Sequence, residues 1–300
     1  MTERVRVRVG DRELSLSNLD KPMFPAFTKG EVIDYYTRIA PVLLPHLAGR
    51  PVTRIRYPNG AGAASFFEKN APSHTPDWVR TVRLPVPGST MDRETVDFVV
   101  VDELATLVWL ANLAALELHT PQWKVDAHGA AQPPDLIVFD LDPGPPAGLA
   151  ECAAVAVALR AELAADGIEA YPKTSGRKGM QLLCPIAGSQ PAPVVSGYAK
   201  RLAHRLARRD PDRVVDRMTR ALRPGKVFID WSQNNAAKTT VAPYSLRAGT
   251  APMVSLPLQW SEVESGRPIT GGPDLALSRM DSAGDLLADL AVPGPPVPEG

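Results

Sequence analysis

Residues 136–139 read Leu-Ile-Val-Phe, and the run then breaks into Asp140-Leu141-Asp142-Pro143-Gly144. A short apolar run closed by Pro-Gly predicts a buried strand. Strand side chains alternate, so Asp140 and Asp142 leave on one face and Leu141 on the other. Val227-Phe228-Ile229 followed by Asp230 repeats the pattern and predicts a second strand, over 226–231. Alternating Val and Arg over residues 1–9 predicts an edge strand. Thr28-Lys29-Gly30-Glu31 is a capping box, and Val32, Tyr35, Tyr36 and Ile39 continue it as an amphipathic helix. The apolar stretch 104–118 predicts a helix, and Ala-rich 147–166 another, stopped by Gly167. Residues 168–173 and 180–186 predict a hairpin around Ser175-Gly176-Arg177-Lys178-Gly179. A basic helix follows over 194–209, then a short extended piece over 239–246. The pattern is α/β (α+β), with mixed or antiparallel sheets flanked by helices and no internal repeat.

Composition narrows this picture. A 300-residue chain that is 44% apolar supports one large core or two modest ones. Its 31 prolines are about twice ordinary usage, and the Pro-rich tail 291–300 reads as a frayed end. Cys152 and Cys184 have no metal or redox spacing, and Cys184 lies in an apolar run that suits a core. The start is no signal peptide, and no stretch approaches the ~20 apolar residues of a membrane span. A soluble cytoplasmic protein without a membrane partner is expected. Net charge is zero, yet residues 171–250 carry 15 Lys/Arg against 4 Asp/Glu, or +11. That asymmetry suits a polyanion partner, although the basic helix alone is equally a solvated face.

Two carboxylates side by side stay ionised most easily around a divalent cation. Alone, Asp-x-Asp fits a solvated turn as well as a metal site. Asp230 supplies a third acid from a second strand end, enough to hold two cations for phosphoryl transfer. The 175–179 turn offers two glycines, a hydroxyl and a cation to an anion, though alone it reads as an ordinary hairpin turn. Residues 231–247 concentrate donors: Gln233, Asn234, Lys238, Ser245 and Arg247.

Seven motifs in order carry a resemblance over residues 16–247. They are Asn18-Leu19-Asp20-Lys21, Arg54-Ile55-Arg56-Tyr57-Pro58-Asn59-Gly60, Phe66-Phe67-Glu68-Lys69, and Glu117-Leu118-His119-Thr120-Pro121-Gln122-Trp123. Then come Phe139-Asp140-Leu141-Asp142-Pro143-Gly144, Thr174-Ser175-Gly176-Arg177-Lys178-Gly179, and Asp230-Trp231-Ser232-Gln233-Asn234 through Arg247. Together they resemble the polymerase domain of bacterial end-joining ligase D, within the archaeo-eukaryotic primase superfamily. Without the ligase and nuclease modules, the chain looks like a stand-alone form of it.

The resemblance implies a primase-type polymerase core. Residues 1–290 would form one primase-polymerase domain: a DNA-binding part over 1–130, a metal-bearing core over 131–250 and a C-terminal segment over 251–290. Asp140, Asp142 and Asp230 would bind two catalytic ions, Mn²⁺ or Mg²⁺. His119, Ser175, Lys178, Gln181, Gln233 and Arg247 would bind the nucleotide. Asn18, Lys21 and Lys29 would take a 5′-phosphate across a gap. Arg56, Phe66, Phe67 and Arg223 would contact DNA. Read without the resemblance, His119 suits a packed histidine and the Phe pair suits a core.

The chain departs from the family pattern at Gln181, where a histidine is usual; glutamine still donates a hydrogen bond but cannot become cationic. Ile55 replaces a second basic residue, and the loop between Lys21 and Lys29 is slightly shorter. The loop 85–90 falls where relatives carry an end-synapsis loop. The implied activity is extension of a primer 3′-hydroxyl with NTPs, ribonucleotides preferred over dNTPs, on primed or gapped DNA in repair. A monomer near the nucleoid is expected, with a separate ATP-dependent DNA ligase and Ku as partners. Two other readings stay open: a non-catalytic DNA end-binding module, and an Asp-x-Asp glycosyltransferase.

Overall fold

The computed structural model describes residues 4–86 and 94–299. The strand predicted around the acid pair runs Leu136–Pro143 and lies at the centre of a five-stranded sheet. Across that sheet the order is Tyr171–Thr174, Met180–Pro185, Leu136–Pro143, Val227–Asp230 and Val214–Val215. All pairs are antiparallel except the last, which is parallel. The sheet is therefore mixed, as the chain pattern predicts.

One face of this sheet carries Ile137, Phe139, Leu141, Met180, Leu182, Val227 and Ile229. It packs under the helices Leu149–Ala165 and Ala192–Arg209, which bring Ala156, Leu159, Leu202 and Leu206 to the same core. Period two then forces Asp140, Asp142 and Asp230 onto the opposite face, part of which Leu287 covers over Val138 and Leu183.

A second, six-stranded antiparallel sheet has the order Thr240–Val241, Ala115–Thr120, Pro51–Arg56, Thr95–Val100 and Thr81–Pro85. The short strand Phe66–Glu68 also pairs with Pro51–Arg56. The helices Lys29–Leu47 and Leu104–Asn112 share a core with it through Val32, Ile39, Leu43, Leu107, Leu110 and Leu118. Thr28 caps the first helix with the full capping box. A short 3₁₀ turn, Trp231–Asn234, leads from Asp230 toward the second sheet.

Two expectations change, and a third is extended. Residues 104–118 are not one helix: the helix stops at Asn112, Ala114 adopts φ 61°, and Ala115–Thr120 is a buried strand. A continuous apolar run is compatible with either element, and here pairing with Pro51–Arg56 decides it. The edge strand begins at Arg4 among the described residues and pairs with Arg12–Ser17 as a hairpin. The Pro-rich tail is not frayed: the Ala187 N–H donates to the Pro295 carbonyl at 3.2 Å, and Val297 is buried in the helical core. Of the loop at 85–90, residues 87–90 lie outside the described residues. No helix among the described residues is long and apolar enough to cross a membrane.

Candidate active site

Asp140 and Asp230 are direct cross-strand partners, and Gln181 faces Asp140 from the other neighbour. Asp142 lies two residues along on the same face. Gln181 Nε2 donates to Asp140 Oδ1 at 3.0 Å. Gln233 Nε2 donates to Asp230 Oδ2 at 2.8 Å, and the Ser232 N–H to Asp230 Oδ1 at 3.1 Å. Burial pushes the Asp140 carboxyl up, the charge of Asp142 adds to this, and Asp230 adds again; the Gln181 bond opposes them. Burial also raises Asp142, with Asp230 adding, while Lys178 and Arg223 pull it down.

Among the described residues, no three acids or imidazoles converge as a closed ligand set. Asp140 and Asp230 each spend an oxygen on an amide donor. The donor set nevertheless fits a hard divalent cation: three carboxylates on one sheet face, two of them raised by burial first and by like-charged neighbours after it.

Behind Asp140 lies a residue that the sequence reading leaves unassigned. Lys173 is 0% exposed. Its ammonium donates to Gln181 Oε1 and to Ser255 Oγ, both at 2.6 Å. Burial lowers its pKa to about 7, although the charge of Asp140 works the other way. An ammonium only donates, so it fixes the Gln181 carbonyl toward itself and turns the amide N–H onto Asp140. Glutamine thus has a defined job where the family pattern has histidine.

The 175–179 turn is packed too closely for side chains at its glycines. A Cβ on Gly179 would stand 2.3 Å from the Leu141 carbonyl oxygen, and one on Gly176, at φ +70°, 2.5 Å from Arg247 Cγ. Ser175 Oγ accepts from the Arg177 and Gly179 N–H groups, each at 3.3 Å.

Glu117 organises the other wall. It shares a face of its strand with His119 and is fully buried. Its carboxylate meets Arg247 Nη1 at 3.0 Å, Arg177 Nη2 at 3.0 Å, His119 Nε2 at 3.2 Å and the Tyr57 hydroxyl at 3.2 Å. The Ala248 N–H donates to it at 3.1 Å. Burial pushes this carboxyl up, but the His119 bond and the Arg247 charge outweigh it and hold it at about 2. Burial lowers the pKa of His119, which favours the neutral ring. Arg247 Nε is buried without a partner among the described residues.

A basic pocket forms at the start of the first helix. Lys29 Nζ turns inward onto the Ser17 carbonyl at 2.5 Å, and Lys21 Nζ lies 3.5 Å from Asn59 Oδ1. Burial, then the charges of Lys21 and Arg56, lower Lys29 to about 8. Asn18 adopts φ 55° in the turn whose carbonyl accepts the Lys21 N–H.

Arg56 links this pocket to the strand opposite, where it pairs with Phe66. Its guanidinium is already committed to Glu68 at 2.9 Å and the Leu113 carbonyl at 2.6 Å. Phe66 and Phe67 are 53% and 59% exposed, so the pair is not core. Arg223 stacks 4.0 Å over the Phe228 ring and bonds the Met218 carbonyl. The residues of the sequence reading thus form one acid face, one cationic wall and one basic pocket. Glu117, Lys173 and Arg177 join them without having been assigned. Glu117 lay inside a stretch read as helix, where its period-two relation to His119 is invisible.

The family model for "LigD, primase-polymerase domain" matches residues 28–287. The chain is 43% identical over 283 residues to the multifunctional non-homologous end joining protein LigD of Mycolicibacterium smegmatis, covering 93% of this chain and 36% of that protein. It is 33% identical over 256 residues to the bifunctional non-homologous end joining protein LigD of Bacillus subtilis, covering 84% of this chain and 40% of that protein. The chain therefore spans about two fifths of the length of these relatives. Its fold matches the polymerase domain from Mycobacterium tuberculosis ligase D in complex with DNA, with a TM-score of 0.88 at 39% identity, covering 94% of this chain and 99% of that one. With nearly the whole chain matched in sequence and in fold, it belongs to the LigD primase-polymerase family.

Proposed function

We propose that this chain is a DNA-repair polymerase that adds nucleotides from NTPs to a primer 3′-hydroxyl, releasing pyrophosphate. The observation that carries the reading is the cross-strand pair Asp140–Asp230, with Asp142 beside it, facing a cation-rich glycine turn. Membership of the family makes it a polymerase-type, metal-dependent nucleotidyltransferase. Asp140, Asp142 and Asp230 would hold two ions, Mg²⁺ or Mn²⁺. Bound there, they would supply activation of the 3′-hydroxyl and neutralise charge on the triphosphate. Ser175, Lys178, Gln233, His119 and Arg247 would position the triphosphate, with Gln181 orienting Asp140 for them.

Lys21, Lys29 and Asn18 would receive the 5′-phosphate across a short gap, at a helix start that favours anions. Phe66 and Phe67 would stack on template bases, which suits any sequence. Arg56, held by Glu68, would act through its charge, and Arg223 would position the primer end. The M. tuberculosis domain that this fold matches is in complex with DNA, which supports a nucleic-acid partner here. Preference for ribonucleotides, action beside Ku and a separate ligase, and a place at the nucleoid belong to the same reading. The glycosyltransferase reading gains nothing from a third acid opposite Asp140.

Primer extension across gapped DNA tests it, comparing NTP with dNTP, Mn²⁺ with Mg²⁺, and 5′-phosphate with 5′-hydroxyl. Asp140→Ala with Asp142→Ala should abolish extension. Extension retained by that double variant would end the proposed mechanism. DNA binding without any extension by the unaltered chain would favour the end-binding module.

A further inference from the structure

The resemblance assigns Ser175 and Lys178 in the glycine turn and leaves Arg177 between them without a role. Its backbone position is fixed. Gly176 packs against Arg247 so closely that no Cβ fits, and Ser175 Oγ accepts the Arg177 N–H. Its side chain is 53% exposed, and its one side-chain hydrogen bond among the described residues runs from Nη2 to Glu117 Oε1. Glu117 already has Arg247 on its other oxygen. Two guanidinium groups thus share one carboxylate and leave a net positive charge on the nucleotide wall. Lys178 adds to it, without an ion pair among the described residues.

We propose that Arg177 is a further ligand for the triphosphate of the incoming nucleotide, with Glu117 as its alternative partner. The proposal rests on the reading that this cleft binds a nucleoside triphosphate. The guanidinium is half-exposed, and Glu117 keeps Arg247, His119 and the Ala248 N–H when Arg177 leaves it. A guanidinium against phosphate oxygens forms stronger, charge-assisted and often bidentate bonds. The exchange also relieves the crowding of two cations on Glu117, leaving Arg247 its sole guanidinium partner. Gln181 is neutral, so Arg177 would be the second cation of this wall beside Lys178. Arg177 belongs to the substrate-binding group and moves no proton.

Binding of inorganic tripolyphosphate and of ATP to the full chain, followed by titration calorimetry, tests this with the unaltered protein, Arg177→Ala and Arg177→Lys. Removing one charge-assisted contact should weaken tripolyphosphate binding about 10-fold in Arg177→Ala, and lysine should restore part of it. KM for NTP should rise by a similar factor with kcat within about two-fold, the signature of lost ground-state binding. Unchanged tripolyphosphate affinity in Arg177→Ala overturns the assignment and leaves the reading of the cleft intact. A fall in kcat at constant KM overturns it as well, since that marks a structural role. If the unaltered chain binds neither ligand, the reading of the cleft falls and takes this inference with it.

Discussion

Two sets of carboxylates line the same cleft and live under opposite electrostatics. Glu117 is surrounded by Arg247, Arg177, His119, Tyr57 and a backbone N–H, and sits at about 2. Asp140 and Asp142 are half-buried beside each other and beside Asp230, and both are raised, by burial first and then by like charge. Glu117 is satisfied by the protein itself, so it belongs to the framework. The aspartates are left short of positive charge, which is what a site for cations requires. Burial alone does not separate a structural acid from a functional one; the sign of its neighbours does.

Removing the satisfied acid should have the largest effect. Glu117→Gln leaves Arg247 buried against a neutral amide and should lower unfolding free energy by about 3 kcal/mol in urea denaturation. The same acid should appear in the pH dependence. Its folded pKa lies below the ordinary 4.5, so its contribution is present above that value and is lost as pH falls through the window from 4.5 to about 2. The unaltered protein should lose on the order of 3 kcal/mol across that window, and the variant far less. Equal acid sensitivity in both would remove Glu117 from the framework.

Asp140→Asn should do the reverse. The asparagine carbonyl can still accept from Gln181, while the repulsion disappears. Asp140 is raised in the fold, so its ionisation costs stability as pH rises above 3.8. In chelator, the variant should therefore resist urea better than the unaltered protein at pH 8 and show little difference at pH 4. Destabilisation at pH 8 would contradict the contrast with Glu117.

Gln181→His is the finest test. A neutral imidazole can accept from Lys173 and donate to Asp140, as the amide does. Once protonated it cannot accept, so extension by this variant should gain an acid limb near about pH 6.5. Identical pH–rate profiles for the two proteins would mean that Gln181 does not act through that hydrogen bond.

Much of this contrast was legible in the chain. The acids were, because a strand period of two and the Pro143-Gly144 stop fix their face without any tertiary knowledge. The capped helix at Thr28 and the glycine turn were readable from local chemistry in the same way. Glu117 was hidden, because the apolar run around it fits helix and strand alike, and only the pairing with Pro51–Arg56 selects the strand. Lys173 and Ser255 meet across 82 residues, a contact that no local spacing encodes. The exposure of Phe66 and Phe67 was not readable from local pattern, where adjacent aromatics resemble core; only the resemblance implied it. The ordering of residues 294–297 depends on partners about a hundred positions earlier.

That last feature matters to anyone attaching something to the protein. Gly294 lies so close to the Pro185 carbonyl that a Cβ would stand 2.0 Å from it, and Val297 is held by Gln190 at 2.7 Å. Arg201 donates to the Pro298 carbonyl at 2.8 Å. The final residues therefore run along the helix-covered side of the acid-bearing sheet. A fluorophore or surface tether carried on residue 298 would stand on the face opposite the carboxylates. Substrate could then reach the acids unobstructed in single-molecule or immobilised assays.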